Sequence, residues 1–136
     1  MAIDLSKPNR FDRFVDLGAG DGRVVRAFLP LVSEAIGYEI DESLPRDPHV
    51  KISDFFNEDL SRFSLVYCYL TAEAMRLLRS KLHKECRPGT RIISIEHAIP
   101  GWVSWKMYRQ VHVAEKRDYF IYVYLTPISW ELGCNC

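Results

Sequence analysis

Two rhythms of apolar residues alternate along this chain. Short apolar runs closed by turn residues read as strands, and apolar residues three and four apart read as amphipathic helices. Arg13–Leu17 is the first predicted strand. A helix over about residues 21–32 follows, with Val24, Val25, Phe28, Leu29 and Val32 at helical spacing. Pro30 sits in its last turns and is expected to kink it or end it early. Residues 35–40 and 49–53 are the second and third strands, and the continuous apolar run 63–70 reads as a central fourth strand. Thr71 is placed to cap a helix running to about Cys86. Met75, Leu78 and Leu82 lie on one face of that helix, and Arg76, Ser80, His83 and Lys84 on the other. That basic face is either solvated or available to a substrate. Arg91–Ile95 is the fifth strand, and 107–114 with 119–126 form two late strands. Their short joint, residues 115–118, makes them an antiparallel hairpin.

Strands alternating with helices, then a hairpin, predict an α/β fold with a Rossmann-like, mostly parallel sheet and an antiparallel end. One connection breaks the pattern. Parallel neighbours usually need a crossover of about a dozen residues including a helix. The stretch Asp41-Glu42-Ser43-Leu44-Pro45-Arg46-Asp47-Pro48 has no room for one. The crossover is therefore a bare loop, or it leaves an apolar flank open to self-association, which makes a homodimer worth testing.

Length and composition narrow the class. At 136 residues the chain is expected to form a single domain over 1–136, with a lead-in at 1–12 and a tail at 127–136. Apolar residues make up 48% and charged residues 26%, as in soluble globular proteins. Lys plus Arg equals Asp plus Glu at 18 each, and no basic groove with interleaved aromatics is visible, so nucleic acid is not indicated. No apolar run reaches membrane-spanning length and no signal-peptide core is visible, so the expected location is cytoplasmic. Cys68, Cys86, Cys134 and Cys136 lack zinc spacing, and no metal is expected.

The candidate chemistry begins at Asp16-Leu17-Gly18-Ala19-Gly20-Asp21-Gly22, directly after the first strand. Glycines belong where the backbone takes positive φ or a ligand comes close. In an α/β fold that place lies beyond a strand's carboxyl end. Glu39 closes the second strand 17 positions after Gly22, near the spacing at which Rossmann-type sites set a carboxylate on ribose hydroxyls. Asp54-Phe55 follows the third strand.

Asp16, Gly18, Gly20 and Gly22, then Glu39, then Asp54-Phe55 together resemble the motifs of class I S-adenosylmethionine-dependent methyltransferases. The second half is similar to the small protein lysine methyltransferases, archaeal and mitochondrial. The stretches that carry this are Val66-Tyr67-Cys68-Tyr69-Leu70-Thr71, Leu78-Arg79-Ser80-Lys81-Leu82, Arg87-Pro88-Gly89-Thr90-Arg91 and Ile99-Pro100-Gly101-Trp102. The resemblance spans roughly Phe14 to Leu125. It departs in three places: no helix between strands two and three, a nearly absent N-terminal extension, and Ser94-Ile95-Glu96-His97 where that family commonly has Ser-His-Asp-Phe.

The resemblance implies the cofactor S-adenosyl-L-methionine, held by Asp16, Gly18, Ala19, Gly20, Gly22, Glu39, Ile40, Asp54, Phe55 and Tyr69. Asp16 would face the ammonium, Glu39 the ribose hydroxyls and Asp54 the adenine amine, with Phe55 and Ile40 on the ring. It further implies a protein partner presenting a lysine, with Tyr69 and Glu96 as catalytic residues. Tyr69 offers a π face to a cationic amine, and Glu96 can orient that amine or take its proton. His97 and His112 are further candidate bases, and Trp102 lines the acceptor channel or packs a lid. Three other readings stay open: a methyltransferase acting on a small molecule or RNA, a degenerate cofactor-binding interaction module, and a nicotinamide-binding domain.

Overall fold

The computed structural model describes residues 5–112 and 117–130. One sheet runs in the order β3-β2-β1-β4-β5-β7-β6. Its strands are β1 (Arg13–Leu17), β2 (Glu34–Glu39), β3 (Val50–Ile52), β4 (Leu65–Cys68), β5 (Arg91–Ile95), β6 (Lys106–His112) and β7 (Arg117–Leu125). Strands β1 to β5 pair in parallel, while β7 runs antiparallel to both β5 and β6. The α/β class and the terminal hairpin are those the sequence predicts.

Side chains alternate across β1, so Phe14 and Val15 go to opposite faces. On one face Phe14, Leu65 and Ile93 pack with Val25 and Phe28 of α1 (Arg23–Phe28), and Phe14 stacks on Phe28 at 4.0 Å between ring centroids. On the other, Val15, Leu17, Val66 and Ile92 meet Met75, Leu78 and Leu82 of α2 (Ala72–Glu85). Every residue of β4 is buried, which explains why it is written as an unbroken apolar run. Thr71 caps α2 as expected, its hydroxyl accepting from the Ala74 N–H at 3.1 Å.

Among the boundaries that differ from expectation, three stand out. The first helix stops at Phe28 and gives way to a 3-10 turn, Leu29–Leu31. Pro30 has no N–H for the Arg26 carbonyl and its ring crowds that turn, so the helix ends there and the chain turns into β2. Ile40 falls just outside β2. Arg117 and Asp118, expected in the hairpin joint, belong to β7. The hairpin continues pairing past Ile95↔Ile121, up to His112↔Arg117, so it projects beyond the carboxyl end of β5.

The β2–β3 crossover is the bare loop that the sequence predicts, with neither helix nor strand in residues 40–49. It does not leave its flank fully open. Val50 and Ile52 are half-buried and share a hollow of about 450 Å3 with Leu44, Pro45 and Pro48 of the loop itself.

Candidate active site

The site lies where β1, β2, β3 and β4 end together. Gly18, Gly20 and Gly22 take φ of 87°, 59° and 85°, the left-handed region that L side chains rarely adopt. The loop is held to β2 on both sides. The N–H groups of Gly18 and Ala19 both donate to the Tyr38 carbonyl at 2.9 Å. The Gly20 N–H donates to Glu39 Oε1 at 2.7 Å, and the Asp41 N–H to Oε2 at 3.0 Å. Each Glu39 oxygen thus keeps a further lone-pair direction for a hydroxyl donor.

Gly37, in the middle of β2, makes this approach feasible. A Cβ built there would stand 2.3 Å from the Ala19 Cβ and 3.0 Å from Val25 Cγ2. Sequence pattern does not reveal Gly37, because a glycine inside a strand carries no label for what packs on it. Leu70, beyond the end of β4, closes on the same loop: its Cδ2 lies 3.0 Å from where a Gly18 Cβ would be.

Two adjoining clefts open here. One, of about 460 Å3, is lined by Tyr38, Glu39, Ile40, Asp54, Phe55 and Leu70 among others. Ile40 is 69% exposed on its rim, and Asp54 Oδ1 accepts from the Phe56 N–H at 3.0 Å, capping the turn that presents Phe55. The second, of about 430 Å3, has Asp16, Gly18, Ala19, Gly20, Tyr67 and Tyr69 in its wall, with Leu44 and Pro45. Gly18 belongs to both. Gly22 lines neither: it is buried, and a Cβ there would meet the Asp47 side chain at 3.0 Å. Its missing side chain makes room for the β2–β3 loop rather than for a ligand.

Asp16 is the electrostatic centre of the second cleft. It is 3% exposed, and burial, with the nearby Glu39 charge, pushes its carboxyl up to about 7. Among the described residues no cation or hydrogen-bond donor is paired with it. A buried acid wanting a positive partner, in a wall that opens onto a cleft, suits an ammonium group. Tyr67, its register partner on β4, is buried, and burial and the Asp16 charge raise its hydroxyl well above the ordinary tyrosine range. Tyr67 therefore remains a neutral phenol, packed with Phe14, Leu65 and Ile93. Tyr69, one residue beyond β4, is 49% exposed.

Glu96 follows β5 with φ of 72°, a left-handed conformation for a residue with a side chain. Its N–H donates to the Phe120 carbonyl at 2.7 Å, and the Ser94 hydroxyl donates to the His97 carbonyl at 2.5 Å. These bonds fix the corner after β5 next to the end of β4. His97 is half-buried in that corner, and the His112 side chain lies outside the described residues. Trp102 is a correction to the acceptor-channel expectation. It is 8% exposed and meets Tyr124 edge-on at 5.9 Å, inside the core on the α2 side. Cys68 and Cys86 are buried, and burial raises both thiols above their ordinary range, so neither is a ready nucleophile. Cys134 and Cys136 lie outside the described residues. Among those residues no group of His, Cys, Asp and Glu could hold a metal ion, and no helix is long and apolar enough to cross a membrane.

This strand order, with a glycine loop after β1 and acids closing β2 and following β3, defines a class I S-adenosylmethionine-dependent methyltransferase. The ANTKMT methyltransferase domain model matches residues 16–106, and the chain belongs to that family. It is 31% identical over 115 residues to the protein-lysine N-methyltransferase of Saccharolobus islandicus, covering 74% of this chain and 71% of that protein. It is 31% identical over 104 residues to the adenine nucleotide translocase lysine N-methyltransferase of Mus musculus, covering 66% of this chain but only 45% of that relative. Among solved structures, an RNA methyltransferase from Salinibacter ruber in complex with S-adenosyl-L-homocysteine matches with a TM-score of 0.80 at 24% identity. That likeness covers 92% of this chain and 87% of the other, and shows a shared fold.

Proposed function

We propose that the chain transfers a methyl group from S-adenosyl-L-methionine to lysine ε-amines of proteins. Bound in the paired clefts, the cofactor supplies an activated sulfonium methyl, so no covalent enzyme nucleophile is required. The residues' task is then to hold donor and acceptor in line. Glu39 accepts from the ribose hydroxyls with oxygens already oriented by the Gly20 and Asp41 N–H groups. Asp54 accepts from the adenine amine beside Phe55 and Ile40. Asp16 faces the ammonium across the second cleft.

The observation that carries the acceptor side is Tyr69, 49% exposed at the tip of β4 in the wall that also holds Asp16. A half-exposed aromatic ring at the cleft mouth can receive a long cationic side chain from a large partner and stabilise it through its π face. Leaving water for that position lowers the amine's pKa and favours the neutral nucleophile. Glu96, fixed at the next strand end, orients the amine or accepts its proton. The protein-lysine N-methyltransferase name of the archaeal relative supports this acceptor. On this reading the setting is cytoplasmic, and a second copy of the chain as partner would double the mass seen by light scattering.

Incubating the protein with methyl-labelled cofactor and cell extract, then hydrolysing the products, tests the acceptor. Label on methyl-lysine is expected; label confined to RNA or to small metabolites would replace the acceptor while keeping the cofactor.

A further inference from the structure

The helix missing between β2 and β3 has a replacement, and it faces the cofactor cleft. Leu44 and Pro45 stand in the same cleft wall as Asp16, Ala19, Gly20, Val24 and Tyr69. The loop that carries them is clamped to α1. Asp47 Oδ2 accepts from Arg26 Nη1 at 2.6 Å, and that nitrogen also donates to the Asp21 carbonyl at 2.8 Å. Asp47 Oδ1 accepts from the His49 N–H at 2.8 Å, and the Asp47 carbonyl from the Val50 N–H at 3.0 Å. The Asp47 side chain is only 8% exposed and rests on Gly22, where any Cβ would intrude. At the loop's other end the Asp41 N–H is tied to Glu39.

We propose that residues 41–48 form a fixed strap that roofs the methionine half of the cofactor. Leu44 and Pro45 are its contact residues, and the Asp47–Arg26 pair its positioning clamp. Three independent observations converge on this. The loop has no helix of its own to hold it. Its polar bonds run to Arg26 of α1 and, at its start, to Glu39 at the end of β2. Leu44 and Pro45 line the cleft beside Asp16 and Tyr69 as well as the hollow over Val50 and Ile52. A loop held only for stability would turn such side chains inward, whereas Leu44 is half-buried and Pro45 exposed. This inference rests on the cofactor reading proposed above.

Calorimetric titrations with S-adenosyl-L-homocysteine and with adenosine, which lacks the amino-acid half, test the strap. Leu44→Ser should weaken S-adenosyl-L-homocysteine binding on the order of fivefold while leaving adenosine binding unchanged, the size expected from removing a partly buried apolar contact. Arg26→Gln and Asp47→Asn should each weaken it about threefold, and the double variant no further, because the two act as one clamp. Thermal melts without ligand serve as the control for folding. Equal affinity in Leu44→Ser and the unaltered protein would overturn the strap. Equal loss toward both ligands would do the same, by moving Leu44 to the nucleoside side. Absence of binding in the unaltered, folded protein would instead remove the cofactor reading itself.

Discussion

The two crossovers on either side of β1 solve one problem in opposite ways. Both return the chain to the start of a parallel strand. The β4–β5 crossover does so with α2, which places Met75, Leu78 and Leu82 in the core with no exposure. The β2–β3 crossover has no fully buried residue and is held by carboxylates: Asp47 to Arg26 and His49, Asp41 to Ser43. Each buried aliphatic of α2 contributes about 1.5–3 kcal/mol by leaving water. The Arg26–Asp47 pair, with its guanidinium half in water, contributes on the order of 1 kcal/mol. The first crossover is therefore a source of stability, and the second spends its side chains on the cleft. Relieved of packing against a helix, the glycine-loop side of the sheet can present Leu44 and Pro45 to a ligand.

Substitutions can break this contrast or sharpen it. Leu78→Ala should lower unfolding free energy by about 2–5 kcal/mol, since it opens a cavity under α2. Cofactor affinity of the molecules that remain folded should not change. Denaturant unfolding with a binding measurement at low denaturant checks both halves, and a large affinity loss would mean that α2 supports the site after all.

The site's acid should make binding depend on pH. Asp16 has a folded value of about 7 against an ordinary 3.8, raised by burial and then by Glu39. The folded chain therefore keeps a proton that the unfolded chain releases. On this group's account stability is highest below about 4 and declines as pH rises toward 7. A bound ammonium favours the ionised form, so binding below pH 7 must expel that proton. Affinity for S-adenosyl-L-homocysteine should fall as pH drops from 7 to 5, by up to about tenfold per unit. Titration at pH 6 in buffers of different ionisation enthalpy should register the released proton, and Asp16→Asn should abolish it. A pH-independent affinity would mean that Asp16 does not meet the ammonium.

Thr71→Ala should have the smallest effect, about 1 kcal/mol of stability from the lost cap on α2. Thr71 also directly follows Leu70, which touches the glycine loop. A loss of affinity exceeding the loss of stability would show that the start of α2 belongs to the site as well as to the scaffold.

What is legible in the sequence follows the same division. The strands, the cap and the buried face of α2 come from periodicity, because burial repeats with the geometry of the element. Asp16, Glu39 and Asp54 are visible through their places at strand ends. The strap reads only as a bare loop, since the contact of Asp47 with Arg26 and Gly22 joins residues far apart in the chain, and no periodicity encodes it. Gly37 stays hidden because its role is an absence of atoms beside Ala19. Trp102 misleads for the reverse reason. A tryptophan after a Pro-Gly turn looks like a loop residue, yet its ring turns back onto Tyr124.

The most direct test of the cofactor site is calorimetric titration of the folded protein and of Glu39→Ala with S-adenosyl-L-homocysteine. Saturable one-to-one binding that weakens at least about tenfold in the variant is predicted, as for loss of charge-assisted hydrogen bonds to both ribose hydroxyls. Absence of heat in the folded protein, or equal affinity in both, would contradict it.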